Sequence, residues 1–231
     1  MNTMFQKRII RSIQFLALVL FLGGCATAKT PYTGFLDNYK GMKESEVYKG
    51  LMVDKENMAK LKDYDKFLIA PVVIYLHENA KGAAVDPKQL NALTDDLHKK
   101  MVDGLSGNYT VVEEPSEGVL LIRTALTDVV PAKPILNLHW ATSASGAGLG
   151  GASIEAEFVD AVTNERILAI ADTRRGKKFF QPLKKGVKGT GEAFETYFEG
   201  WSKWGHTKDV FEQWVGMLVE QLNQAHGIVK E

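Results

Sequence analysis

The sequence predicts an α+β fold: a single domain whose antiparallel-rich sheet of about five strands has helices packed on one face. Three observations predict it. Apolar, β-branched runs at residues 67–76 and 119–130 have the composition of strands, and residues 166–178 return as a partner strand. Residues 152–159 alternate, with Ile154, Ala156 and Phe158 on one face and Ser153, Glu155 and Glu157 on the other, a period of two. Two further segments repeat apolar residues at helical spacing, from Leu90 to Leu105 and from Phe211 to Leu222. The resulting order is β-α-β-β-β-β-α, with neither an internal repeat nor a second domain.

Residues 26–34, ATAKTPYTG, are small and polar and read as a tether reaching at most ~30 Å at ~3.3 Å per residue. Residues 35–64 mix acids, lysines and isolated hydrophobes. They read as irregular, with a short helix near Glu56 to Leu61. FLIAPVVIYL, residues 67–76, is the first strong strand, and Pro71 inside it implies an edge position or a bulge. Asp86-Pro87-Lys88-Gln89 opens a helix: Asp86 caps, Pro87 suits the first helical position and Gln89 completes a capping box. Leu90, Leu93, Leu97, Met101 and Leu105 line one face, and Gly104 and Gly107 help to stop it. Tyr109 to Val112 is a short strand and Val119 to Val130 a longer one. Residues 152–159 and 166–178 form a hairpin around Thr163-Asn164, since Asn tolerates a left-handed backbone. The last helix, about residues 207–226, buries Phe211, Trp214, Val215, Leu218, Val219 and Leu222.

The N-terminus has a separate logic. Lys7, Arg8 and Arg11 precede an apolar stretch, IQFLALVLFL, and then Leu22-Gly23-Gly24-Cys25, which holds the chain's only cysteine. A charged region, a short apolar region and small residues at the cut describe a secretory signal, and the run is short of the about 20 residues that span a bilayer. The arrangement resembles a bacterial lipoprotein signal. That resemblance implies cleavage before Cys25, lipid on its thiol and an acyl chain on its new amine. Residues 1–24 are then the signal peptide, 25–34 the lipidated cysteine and tether, and 35–231 one periplasmic domain. Ala26, where Asp would retain the protein at the inner membrane, implies the periplasmic side of the outer membrane. Cleavage removes three of the 28 basic residues, leaving 25 against 28 acidic ones, a net charge of −3. Bulk charge therefore argues against a nucleic-acid partner.

Several segments resemble one family, the bacterial lipoproteins carrying domain of unknown function 3313. They are TGFLDNY (33–39), YDKFLIAPVVIYL (64–76), LIRTALTDVVPAKPILN (121–137), GGASIEAEFVDAVTNERILAIADTRRGKK (150–178) and SKWGHTKDVFEQW (202–214). The resemblance implies a periplasm-facing lipoprotein with Cys25 as its lipid-attachment residue, and it supplies no catalytic residues. The element order is also similar to small α/β domains of the curli secretion channel family and of the TolB amino-terminal domain, an analogy of fold only.

Candidate chemistry is sparse. Gly146, Gly148 and Gly151 match G-x-G-x-x-G, but a strand follows where pyrophosphate binding needs a helix, so a strand connection is expected. The stretch from Pro134 to Gly151 is uncharged and reads either as a loop that touches a partner or lipid, or as an ordinary connection. From Arg174 to Lys188 there are seven basic residues and no acid: Arg174, Arg175, Lys177, Lys178, Lys184, Lys185 and Lys188. They read as a solvated strand end and loop, or as a contact for an anionic surface. Phe194, Tyr197, Phe198, Trp201 and Trp204 form an aromatic stripe, read as core or as an interfacial helix.

His77, His98, His139, His206 and His226 show no metal-ligand spacing. His77-Glu78 is the best metal candidate, against a polar strand terminus. Ser143 or Ser145 with His139 lacks a nucleophile motif. No cofactor, metal or nucleic acid is predicted. Three functions remain open. One is a membrane-anchored, non-catalytic interaction or assembly module with an envelope protein partner. Another is a cell-envelope hydrolase using His77 with Asp128 or His139. The third is a homo-oligomeric component resembling a secretion channel.

Overall fold

The computed structural model describes residues 32–133, 148–175 and 203–228. Its strands are β1 (Lys43–Glu44), β2 (Met52–Asp54), β3 (Lys66–Ile69), β4 (Val73–Ile74), β5 (Thr110–Val112), β6 (Val119–Val130), β7 (Gly151–Asp160) and β8 (Arg166–Arg175). The helices are α1 (Pro87–Leu105) and α2 (Gly205–Ala225), with short 3-10 turns at Met58–Asp63 and Lys81–Ala84. One sheet takes all the strands in the order β1-β2-β8-β7-β6-β3-β5, with β4 also on β6.

The sheet is larger and more mixed than the sequence predicts: eight strands rather than about five, and parallel where β3 meets β5 and β6 and where β4 meets β6. α1 explains the parallel β3–β5 pair, since parallel neighbours need a long crossover, usually a helix. β6 is the spine, antiparallel to β7 along one edge and parallel to β3 and β4 end to end along the other. Covered on both faces, it carries a nearly continuous apolar run, VLLIRTALTDVV.

The expected strand of residues 67–76 is broken at Pro71. Ala70 N still donates to Ile122 O at 3.0 Å, Pro71 has no donor, and pairing resumes at Val73. Ile69 pairs Ile122 and Val73 pairs Ala125, so four steps along one strand match three along the other. This is the bulge alternative. The edge alternative holds beside it: β5 pairs β3 only as far as Leu68, and beyond Pro71 β4 pairs β6 alone among the described strands. Residues 35–64, expected to be irregular with one short helix, also contribute β1 and β2. Strands of two or three residues are too short for alternation to register.

α1 begins as expected, with Asp86 Oδ1 accepting from Lys88 N at 2.8 Å and Pro87 in the first turn. Gln89 does not close a capping box. Its Oε1 accepts from Lys203 Nζ at 2.7 Å, tying the start of α1 to the approach to α2. Leu90, Leu93, Leu97, Met101 and Leu105 are buried as predicted. Gly104 lies inside the helix, and a Cβ there would sit 2.4 Å from Val215 Cγ1. It is the point where α1 and α2 approach closely. In the β7–β8 hairpin, Asn164 adopts φ 58°, and Asp160 Oδ1 accepts from Val162 N at 3.0 Å and Thr163 N at 2.8 Å. These backbone bonds, that of Thr163 first, hold the Asp160 carboxyl below its ordinary range.

Register assigns the two faces. Ile154, Ala156 and Phe158 stand opposite Leu126, Thr124 and Ile122 and face α1 and α2 with Leu97, Met101 and Trp214. The other face carries Glu155 beside Ala125 and Ala171, and Glu157 beside Arg123 and Ala169. This second face is buried too: Glu155 is 0% exposed and Glu157 8%. Its cover is the chain ahead of β1. Thr33 N donates to Glu155 Oε1 at 2.7 Å and Tyr39 Oη to Oε2 at 2.6 Å. Leu36 is buried there, and Arg166 Nη1 donates to Asn38 O at 3.0 Å.

Candidate functional site

Cys25, Ser143, Ser145 and His139 lie outside the described residues, as do Lys177 to Lys188 and Phe194 to Trp201. From the basic run, Arg174 is within view and is not a free surface charge. Its Nε donates to Asp172 Oδ2 at 2.5 Å, and that oxygen also accepts from Trp214 Nε1 at 2.8 Å. Asp172 is 0% exposed, so the pair joins β8 to α2 inside the domain. From the uncharged stretch, Gly148 O accepts from Lys133 N at 3.0 Å. Gly151 opens β7, where a Cβ would stand 2.4 Å from Arg174 O. A strand therefore follows the glycine pattern, and close backbone packing accounts for Gly151.

The structure does bring His77 and Asp128 together. Nε2 of His77 is 3.7 Å from Asp128 Oδ2. His77 Nδ1 accepts from Asn79 N at 3.2 Å, which leaves the ring proton on Nε2, toward the carboxylate. Asp128 follows a bulge in β6 and accepts from Gly82 N at 2.8 Å through Oδ1. The pair thus binds the Lys81–Ala84 turn to the sheet. His98 and His226 bond main-chain carbonyls of Ile69 and Leu222, and His206 sits 3.5 Å from Asp209. Among the described residues no group of three or more His, Cys, Asp or Glu could hold a metal ion.

The feature the sequence does not reveal is an apolar cavity of about 110 Å³ between the sheet, α1, α2 and the chain around β2. Ile154, Ala156 and Phe158 form its floor, and Leu97, Met101 and Trp214 part of its walls. Ser45, Tyr48, Lys55 and Gln221 supply polar groups. Tyr48 Oη donates to Glu220 at 2.8 Å, and burial, then that bond, raises the phenol's pKa. A shallow groove bordered by Lys55, Met58, Lys62, Gln221 and Gln224 shares Lys55, Met58 and Gln221 with the cavity. Each contributor carries an ordinary core or surface signal, so only the assembled fold discloses the space.

This architecture defines a class: one-domain α+β proteins with a mixed sheet, two helices on one face and an N-terminal strap on the other. Residues 31–217 match the family described as protein of unknown function (DUF3313), and the chain belongs to that family. No curated protein matches it. Among solved structures it is similar to the PelC dodecamer from Paraburkholderia phytofirmans, at 10% identity and TM-score 0.38, covering 78% of this chain and 99% of that one. It is also similar to the hypothetical protein CT253 from Chlamydia trachomatis, at 9% identity and TM-score 0.37, covering 69% and 98%. Scores this low carry neither activity nor assembly across to this chain. Among the described residues no helix is long and apolar enough to cross a membrane.

Proposed function

We propose that this chain is a lipoprotein cleaved before Cys25, anchored by lipid on that residue to the periplasmic side of the outer membrane. There its single domain serves as a non-catalytic interaction or assembly module. The observation that carries the reading is the strap. Thr33 and Tyr39 are pinned by Glu155 to the back of the sheet, so the chain leaves toward Cys25 from the face opposite the helices. Eight steps separate Cys25 from Thr33, a reach of at most ~26 Å at ~3.3 Å per residue. The helix face and its cavity would then be presented away from the strap. The lipoprotein-like signal supports the same address. Diacyl attachment suits it, since two chains hold a protein stably where one does not.

The test is to isolate the tagged protein from gently solubilised envelopes beside Cys25→Ser. The expected result is outer-membrane fractionation, the added lipid mass on the mature N-terminus and a co-purifying partner or defined homo-oligomer, all for wild type only. Identical fractionation and mass would remove the anchor. A clean monomer from both would remove the assembly role. Contact through the basic run is tested by reversing Lys177, Lys178, Lys184 and Lys185 while leaving the internally bonded Arg174 in place.

A further inference from the structure

We propose that the cavity between the sheet, α1 and α2 binds the apolar tail of a single-chain anionic amphiphile, with a carboxylate or phosphate head against Lys55 and Lys62. The walls set the tail's chemistry. Ile154, Phe158, Leu97 and Leu168 offer no hydrogen bonds, and the hydroxyl of Thr124 is turned to Met101 Sδ at 4.0 Å. A cavity of about 110 Å³ is comparable to the engineered apolar cavity of ~150 Å³ that stays dry and admits benzene. About five carbons of an alkyl chain therefore enter without displacing the walls. Met58, Met101 and Met217 also line the space, and methionine side chains rearrange at little cost around a guest.

The mouth sets the head. Lys55 borders both the cavity and the groove outside it, and Lys62 borders the groove. Lys60, Lys99, Lys100 and Lys208 each meet a carboxylate within 4.0 Å. Neither Lys55 nor Lys62 does so among the described residues, and both are exposed. Of the acids in this region, Glu220 accepts from the Tyr48 hydroxyl, and Glu56 and Asp63, the exposed sequence neighbours of the two lysines, form no ion pair with them. Two uncommitted ammonium groups beside an apolar hole favour an anion on an apolar tail over a neutral or cationic one.

The purified chain is titrated with bromine-tipped dodecanoate and dodecyl phosphate, which quench tryptophan on contact, Trp214 being part of the cavity wall. Dodecyltrimethylammonium with the same tip is the opposite-charge probe. If lipidated, the protein is held in nanodiscs; if not, it is titrated free in buffer, so loss of anchoring and loss of binding are read separately. Saturable quenching is expected for the two anions, and across carboxylates of two to twelve carbons affinity should rise about fourfold per methylene until the about five carbons that the cavity holds are reached. Lys55→Glu with Lys62→Glu should weaken both anions about tenfold and favour the ammonium probe. Ala156→Leu fills the floor and should abolish saturation. Should that variant not fold, the lysine pair, which is exposed, decides alone. The tighter of the two anions names the head group. Equal quenching by all three probes, unmoved by lysine reversal, would overturn the site.

Discussion

On the helix side of the sheet, Phe67, Ile122, Ile154 and Phe158 are covered by α1 and α2, and burial of large apolar side chains holds the layers together. On the other side Ala125, Ala169 and Ala171 are just as inaccessible, yet their cover is a strap without regular structure, fastened by Thr33 N and the Tyr39 hydroxyl on one carboxylate. The small alanines let a single strand of chain lie close. The helix side is held by area, spread over many contacts. The strap side is held by a few directed bonds in a dry place, where each unsatisfied group is costly. A closure that depends on few bonds is the one a local event can undo.

Four substitutions separate the two modes. The largest loss is expected for Phe67→Ala: the ring is 0% exposed, and its removal should cost about 3–5 kcal/mol of global stability in urea denaturation. Glu155→Ala should cost about 1–3 kcal/mol by removing a buried carboxylate that two part-buried donors share. Its signature is local, with hydrogen exchange rising over residues 33–39 far more than in β6. Equal loss of protection in both regions would mean that the strap and the sheet form one cooperative unit. Gly104→Ala gains helix propensity but drives a methyl into Val215. The expected net cost is about 1–2 kcal/mol, relieved in a double variant with Val215→Ala.

The smallest effect is visible only at extreme pH. Burial first, then the hydrogen bond to Asp160, pushes the Tyr64 phenol up to about 12. An unfolded tyrosine titrates near ~10. The folded chain thus keeps a proton that the unfolded chain releases, so this contribution is whole below ~10 and fades as pH rises through about 12. Asp160 has the opposite sign. Its lowered carboxyl stabilises above the ordinary carboxylate range and is lost as pH falls through its folded value. Tyr64→Phe should flatten the alkaline slope of stability and, because it removes one of the weaker hydrogen bonds that lower Asp160, trim the acid limb only slightly, a comparison made by thermal melts across pH.

The residues that misled are as instructive as those that did not. Glu155 and Glu157 alternate with apolar neighbours as a half-exposed strand does, because periodicity reports which side chains share a face and nothing about what covers it. Arg174 looks like the start of a cationic run until Asp172 and Trp214 are seen beside it. His77 and Asp128, 51 positions apart, have the chemistry of a pair and do lie together, where Asp128 braces the Lys81–Ala84 turn.

By itself the sequence determined the two helices, the fully buried stripe of α1 and the buried Phe211, Trp214 and Leu222 of α2, the long strand β6 and the β7–β8 hairpin with Asn164 at its turn. Each is written in neighbouring residues, through composition, spacing or a backbone preference. Only the tertiary structure decided the parallel partners of β3, the strap over the back of the sheet and the cavity under the helices. Those rest on meetings between distant segments, such as Thr33 with Glu155 across 122 positions. Local patterns encode the faces to be buried; three-dimensional packing chooses what buries them and where space is left over.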